Sequence, residues 1–221
     1  MLNSYQIRSV AVIALLAGAM ACSDSEPVLA PSEARISIAD GIIASAMAPT
    51  LYASVNGVLV AIPRDTVASL EVTISDVSYL AEGDDEDTES AWQTLALPAA
   101  VTLDLMALPT EQEGSVEIAS GSVPVGSYRK VRLMAGEGEI VFKGALSLGG
   151  GADFEGATVY AVTIPSGLQT GIKTDVSFEV TENGDATVNA AYLVFDPDAT
   201  FLNITATGTA GVILNPVLRA R

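Results

Sequence analysis

Leu70, Val72 and Ile74 alternate with Glu71, Thr73 and Ser75. That is the period of two required by a half-buried strand, whose successive side chains leave on opposite faces. Past Asp76 the apolar set moves to Val77 and Tyr79, and such a one-residue change of phase predicts a β-bulge near Ser75 and Asp76. Val176, Phe178 and Val180 alternate as cleanly and lead into Glu182-Asn183-Gly184-Asp185. Asn-Gly tolerates positive φ at both central positions of a type I′ turn, so this stretch predicts a hairpin returning along residues 186–195. Further strands are expected over 51–60, 92–97, 101–105, 116–123, 128–134, 139–146, 158–164, 202–207 and 212–217. Turns are expected at Pro124-Val125-Gly126 and Pro165-Ser166-Gly167, where proline presets φ and glycine releases the chain.

Sustained helical periodicity is missing, and residues 103–108 suit at most a single turn. Many short strands separated by glycine-rich turns predict an all-β fold, and within that class an antiparallel β-sandwich of the immunoglobulin or transthyretin kind. The dense run Tyr192, Leu193, Val194, Phe195 suits a strand covered on both sides or ending in the core.

The front of the chain reads differently. Arg8 precedes an uncharged apolar run from Val10 to Ala21, the n-region and h-region of a signal peptide. At about 12 apolar residues the run is too short to span a bilayer, which needs about 20. Ala19-Met20-Ala21 satisfies the A-x-A cleavage rule and, with Cys22, forms a bacterial lipobox in which Ala19 stands where leucine is more usual. Cys22 is the only cysteine, and lipidation explains a leftover thiol in an exported chain. Residues 1–21 are therefore expected to be a signal peptide, 22–49 mainly a tether, and 50–221 one β-sandwich domain. Within the tether, Ile36, Ile38, Ile42 and Ile43 could form a short docking element. Ser23 after the cysteine resembles the outer-membrane sorting pattern of lipoproteins. The expected location is the cell envelope, with a soluble periplasmic or secreted protein as the alternative.

Composition narrows the partners. Losing residues 1–21 removes Arg8 and no acid, so the formal charge of −17 becomes −18. So acidic a surface repels nucleic acid phosphates, and no nucleic-acid partner is expected. Half the residues are apolar, which marks a globular chain despite the charge. Oligomeric state is not readable.

Histidine is absent, which removes the commonest general base, the Ser-His-Asp and Cys-His arrangements, and the commonest zinc ligand. The expectation is no catalytic residue and no cofactor; the alternative is a periplasmic hydrolase using paired carboxylates. Asp84, Asp85, Glu86 and Asp87 crowd one loop and are the candidate Ca²⁺ ligands, since Ca²⁺ takes several oxygens. A solvated loop tip accounts for the same charge run. Asp196 and Asp198 flank Pro197 in the same way. Arg129, Lys130 and Arg132 are the candidate anion or carboxylated-glycan patch, with Lys130 and Arg132 on one strand face and Arg129 on the other. Pairing with acids across strands is the competing reading. Trp92, the lone tryptophan, serves either as a sugar platform or at the core edge.

"VTISDVSYL" (72–80), "LDLMAL" (103–108), "VPVGSYRKVRL" (123–133), "VTIPSGLQTGIK" (162–173) and "LNPVLRA" (214–220) resemble, in order, the bacterial and archaeal domain family of unknown function classed as DUF4382. The resemblance covers essentially everything after Pro49. It implies an exported, often lipid-anchored, β-rich domain, and no catalytic residue is carried over. "VNGVLVAIP" (55–63) stands in place of the family's usual Thr-Asp-Ala-Pro element, and its late Asp-Phe-Asp is only partly kept around Phe195 and Asp196. The function expected is a non-catalytic lipoprotein, membrane-bound through its lipid, acting as a binding or structural display module with a glycan or protein partner. An accessory subunit of a surface assembly, completing a sheet edge with a partner strand, is a further alternative.

Overall fold

A computed structural model of the chain describes residues 31–40, 50–109, 114–165, 167, 169–182, 189–196, 200–205 and 211–220. The leader with Cys22, together with Ile42, Ile43, Ser166, Asn183, Gly184 and Asp198, lies outside the described residues.

The elements are β1 (Ser32–Asp40), β2 (Thr50–Val55), β3 (Val58–Pro63), β4 (Val67–Ala81), β5 (Gln93–Leu95), β6 (Val101–Asp104), β7 (Val116–Val123) and β8 (Gly126–Phe142). They continue as β9 (Leu146–Ser147), β10 (Asp153–Phe154), β11 (Val159–Thr163), β12 (Ile172–Val180), β13 (Ala190–Phe195), β14 (Phe201–Thr205), β15 (Gly211–Asn215) and β16 (Leu218–Ala220). A four-stranded sheet runs β16-β13-β1-β7. A ten-stranded sheet runs β3-β2-β14-β15-β11-β8-β4-β5, with β12 added to β8 and β6 to β4, and β9–β10 form a small separate hairpin.

The two layers face each other across an apolar interior. Ile38, Phe195 and Leu218 of the smaller sheet meet Val72, Leu103 and Leu133 of the larger. The fold is thus all-β and sandwich-like, but its sheets are mixed and not antiparallel throughout. β1 runs parallel to β13, β11 to β15 and β14 to β2. Parallel neighbours need crossover connections, so these strands meet across long sequence separations and not through hairpins.

β4 and β8 are the spine, paired antiparallel along almost their whole lengths. Leu70, Val72 and Ile74, then Val77 and Tyr79, are buried, and the ladder slips between Ile74 and Asp76. The bulge expected there is present and turns the second apolar set onto the core. Residues 128–134 and 139–146, expected as two strands, are mostly one: β8 runs through Gly136 and Gly138. A Cβ on Gly138 would strike the backbone carbonyl of Glu71, so this glycine permits close strand approach and does not end the strand.

One strand expectation and one hairpin expectation are corrected. Residues 51–60 fold as β2 and β3 about Asn56-Gly57, whose φ values of 50° and 82° are those of a type I′ turn. β12 and β13, which flank Asn183-Gly184, do not pair; β12 joins β8 while β13 joins β1 and β16. Val180, Leu193 and Phe195, all at 0 % exposure, belong to one core, which β12 reaches from the larger sheet and β13 from the smaller.

β1 lies inside the stretch expected to be mainly tether. Ile36 and Ile38 are buried, and β1 is hydrogen-bonded on both sides. Its docking closes the centre of the smaller sheet.

Candidate functional site

Two places among the described residues are the candidates: a charged latch around Trp92, and the outer edge of β3.

The latch is built by the first half of β8, by β12 beside it, and by the loop from Glu82 to Trp92. Arg132 stands opposite Ser78 on β4 and Lys173 on β12, so its side chain rises between two neighbours on one face. Its Nε donates to Ser78 Oγ at 3.0 Å, and its two terminal nitrogens grip Glu89 at 2.8 Å each. This planar fork also lies 4.6 Å from the Trp92 ring centroid, with Lys173 Nζ at 5.4 Å. Trp92 Nε1 and Lys173 Nζ both donate to the carbonyl of Glu86, at 3.0 and 3.4 Å. Trp92 is buried; it holds the core edge and presents no sugar platform.

Lys130 bridges Glu86 at 2.8 Å and Asp175 at 2.7 Å. Asp175 is its register partner on β12, so cross-strand placement alone brings the charges together. Arg129 donates to the carbonyl of Asp84 at 2.6 Å. All three residues of the basic triplet therefore hold the acidic loop.

The electrostatics follow the contacts. The hydrogen bond from Lys130 holds the Glu86 and Asp175 carboxyls below the usual carboxylate range, and the bond from Arg132 does so for Glu89. The same bonds, donated to Asp175 first and to Glu86 second, raise Lys130. Asp76, at the bulge, moves the other way because burial raises its carboxyl more than Arg132 lowers it.

The loop acids expected as Ca²⁺ ligands are dispersed. Glu86 turns to Lys130, while the Asp85 carboxylate accepts from its own loop, at the amide of Asp87 (3.1 Å) and the hydroxyl of Thr88 (3.5 Å). Among the described residues no group of three or more His, Cys, Asp or Glu side chains converges. Asp196 pairs with Arg219 at 2.7 Å, and its carbonyl accepts from Thr200.

Lys173 and Gly171 were not read from the sequence as parts of this site. Their signal is the "PSGLQTGIK" stretch. Gly171 has φ +70°, and a Cβ there would press on the stem of Arg132 and on Met134 Sδ. Glycine at this point lets the chain turn into β12 while leaving room for the arginine.

The second place is geometric. In a two-residue hairpin the first pair, Val55 and Val58, exchanges both backbone hydrogen bonds, and every second pair after it does the same. Val60 and Ile62 therefore bond to Ala53 and Leu51, while the N–H and C=O of Leu59 and Ala61 point away from the sheet. Among the described residues β3 pairs with β2 alone. Nothing in Thr50–Val55 or Val58–Pro63 is charged. Val58 is 64 % and Leu59 58 % exposed. Pro63, which has no N–H, ends the edge.

Residues 53–216 match the family described as Domain of unknown function (DUF4382). No curated protein and no solved structure matches.

Proposed function

The chain belongs to the DUF4382 family, a domain of unknown function, and from that premise we propose that it is a non-catalytic module of the cell envelope acting by binding or structural display. Residues 1–21 export it and a lipid on Cys22 holds it to the membrane, the outer membrane in a host that has one. More than one acyl chain on Cys22 would make the anchor stable, since a single chain binds only marginally.

The observation that carries this reading is the outer edge of β3. Sheet edges are ordinarily blunted by charge, by proline or by a cover. Among the described residues this one has only Pro63 at its far end, and it shows Val58 and Leu59 to solvent. Such an edge adds a strand from a partner, backbone bonds giving affinity and side chains giving selectivity. The charged groups near Trp92, by contrast, are engaged with one another, and this supports a structural role for the latch.

Metabolic labelling with an alkyne fatty acid tests the anchoring. Wild type should carry the label in the membrane fraction, and Cys22→Ser should lose the label and appear in the soluble fraction. An unlabelled wild type overturns the anchor.

A further inference from the structure

Beyond its structural role, the latch holds a ligand site separate from the β3 edge. We infer that the Arg132 guanidinium is a receptor for a carboxylate, filled in the resting chain by the chain's own Glu89 and open to a carboxylate ligand that takes its place. The two partners are buried very unequally. The side chain of Arg132 is 8 % exposed and that of Glu89 80 %. The cation is thus fixed inside the protein, while the anion that completes it stands in water.

What fixes the cation is the sheet and the aromatic beside it, not Glu89. Arg132 lies between Ser78 and Lys173, its register neighbours on β4 and β12. Its Nε donates at 3.0 Å to the hydroxyl of Ser78, itself fully buried, and the Trp92 ring lies 4.6 Å away. The two terminal nitrogens are left as a planar fork, the geometry that takes a carboxylate through two parallel hydrogen bonds. Glu89 uses both of them, at 2.8 Å each.

The occupant is held far less. Glu89 begins a three-residue 3-10 turn, and no residue from 82 to 91 is buried. Glu89 can therefore swing away without drawing an apolar side chain out of the core. An exposed carboxylate gains little by such pairing, whereas a buried guanidinium left without an anion is costly. The fork therefore favours refilling, and the group already in place gives the ligand's chemistry: a carboxylate, as on a uronic acid or an acidic peptide. The net charge of −17 does not forbid the exchange, because one carboxylate replaces another. Arg129, Lys130, Arg132 and Lys173 all contact this one loop, which makes it the local exception to the acidic surface.

Thermal melting of the full chain tests the receptor. Glu89→Ala empties the fork from the water side. Sodium acetate should raise the melting temperature of this variant along a saturating curve, and sodium chloride at the same ionic strength should not. In Glu89→Ala combined with Arg132→Lys the acetate response should be several-fold weaker. Indifference to acetate, equal stabilisation by both salts, or an undiminished response in the double variant overturns the site. Should Glu89→Ala fail to fold, Glu89→Gln takes the same titration.

Exchange in the wild type is read from Trp92 emission during titration with trigalacturonate and with triglutamate at constant ionic strength. A saturable change with either, lost in Arg132→Lys, is the expected result, and the tighter of the two names the source of the carboxylate. Silence with both overturns the exchange and leaves Glu89 a permanent partner. The anchor and the β3 edge do not depend on either outcome.

Discussion

Arg132 and Trp92 are stacked, guanidinium carbon 4.6 Å from the ring centroid, while the same guanidinium is bound through both ends to Glu89. One side chain thus joins β8, the acidic loop and the aromatic that ends it. Because Trp92 is the only tryptophan, its fluorescence reports the state of the loop directly.

Arg132→Met should red-shift Trp92 emission and destabilise the domain. The variant removes the stack and the Glu89 pair and leaves the fully buried Ser78 hydroxyl without its donor, a loss of about 1–3 kcal/mol. Arg132→Lys should rescue little, since an ammonium cannot reproduce the planar two-point grip. Denaturant titration followed by fluorescence measures both. Unchanged emission and midpoint would remove the latch from this account.

Glu86, Glu89 and Asp175 have folded pKa values below their unfolded ones. Their stabilisation is therefore present above the ordinary carboxylate range and lost as pH falls through the lowered values. Lys130, raised, contributes below the ordinary lysine range, and its share fades as pH rises through its raised value. Asp76, raised by burial, opposes the acids: its protonation returns stability on the way down. Trp92 emission should stay constant from neutrality to about pH 4 and change only below it. A transition near pH 6 would contradict the assignment.

Two glycines should differ in cost. Gly138→Ala drives a methyl into the Glu71 carbonyl, which the β4–β8 ladder holds in place, so a loss of about 3 kcal/mol or more is expected. Gly171→Ala meets left-handed backbone and the movable stem of Arg132, costing about 1–2 kcal/mol. Thermal melts of both variants give the order; the reverse order would place the tighter approach at the wrong glycine.

The smaller sheet needs β1. Ile38→Ala should cost about 2–5 kcal/mol, as for other fully buried aliphatics. A chain starting at residue 50 should fail to give a cooperative melt, and one starting at residue 31 should melt like the mature protein. Equal melts would make β1 dispensable.

Where an alternating face meets solvent on one side, the sequence was sufficient. Leu70, Val72 and Ile74 and the phase change at Asp76 marked both β4 and its bulge. Long-range choices were hidden. Nothing local to β12 and β13 says that they join different layers, because that choice is made by Leu193 and Phe195 finding β1. β1 was legible only as a short docking element at Ile36 and Ile38, because two isoleucines among small and polar residues do not reveal a nine-residue strand. Asn56-Gly57 carried the same turn chemistry as Asn183-Gly184, but the nearly uninterrupted apolar run around it read as one strand. At the latch, the loop acids and the basic triplet were each visible as charge. Their mutual engagement was not, since it depends on the register that sets Asp175 opposite Lys130.

Amide hydrogen exchange at Leu59 and Ala61 tests the central claim about the edge most directly. At low concentration both amides should exchange as fast as those of exposed loops, while Val58, Val60 and Ile62, bonded into the β2 ladder, exchange slowly. Protection of Leu59 and Ala61 equal to that of Val60 and Ile62 would contradict it.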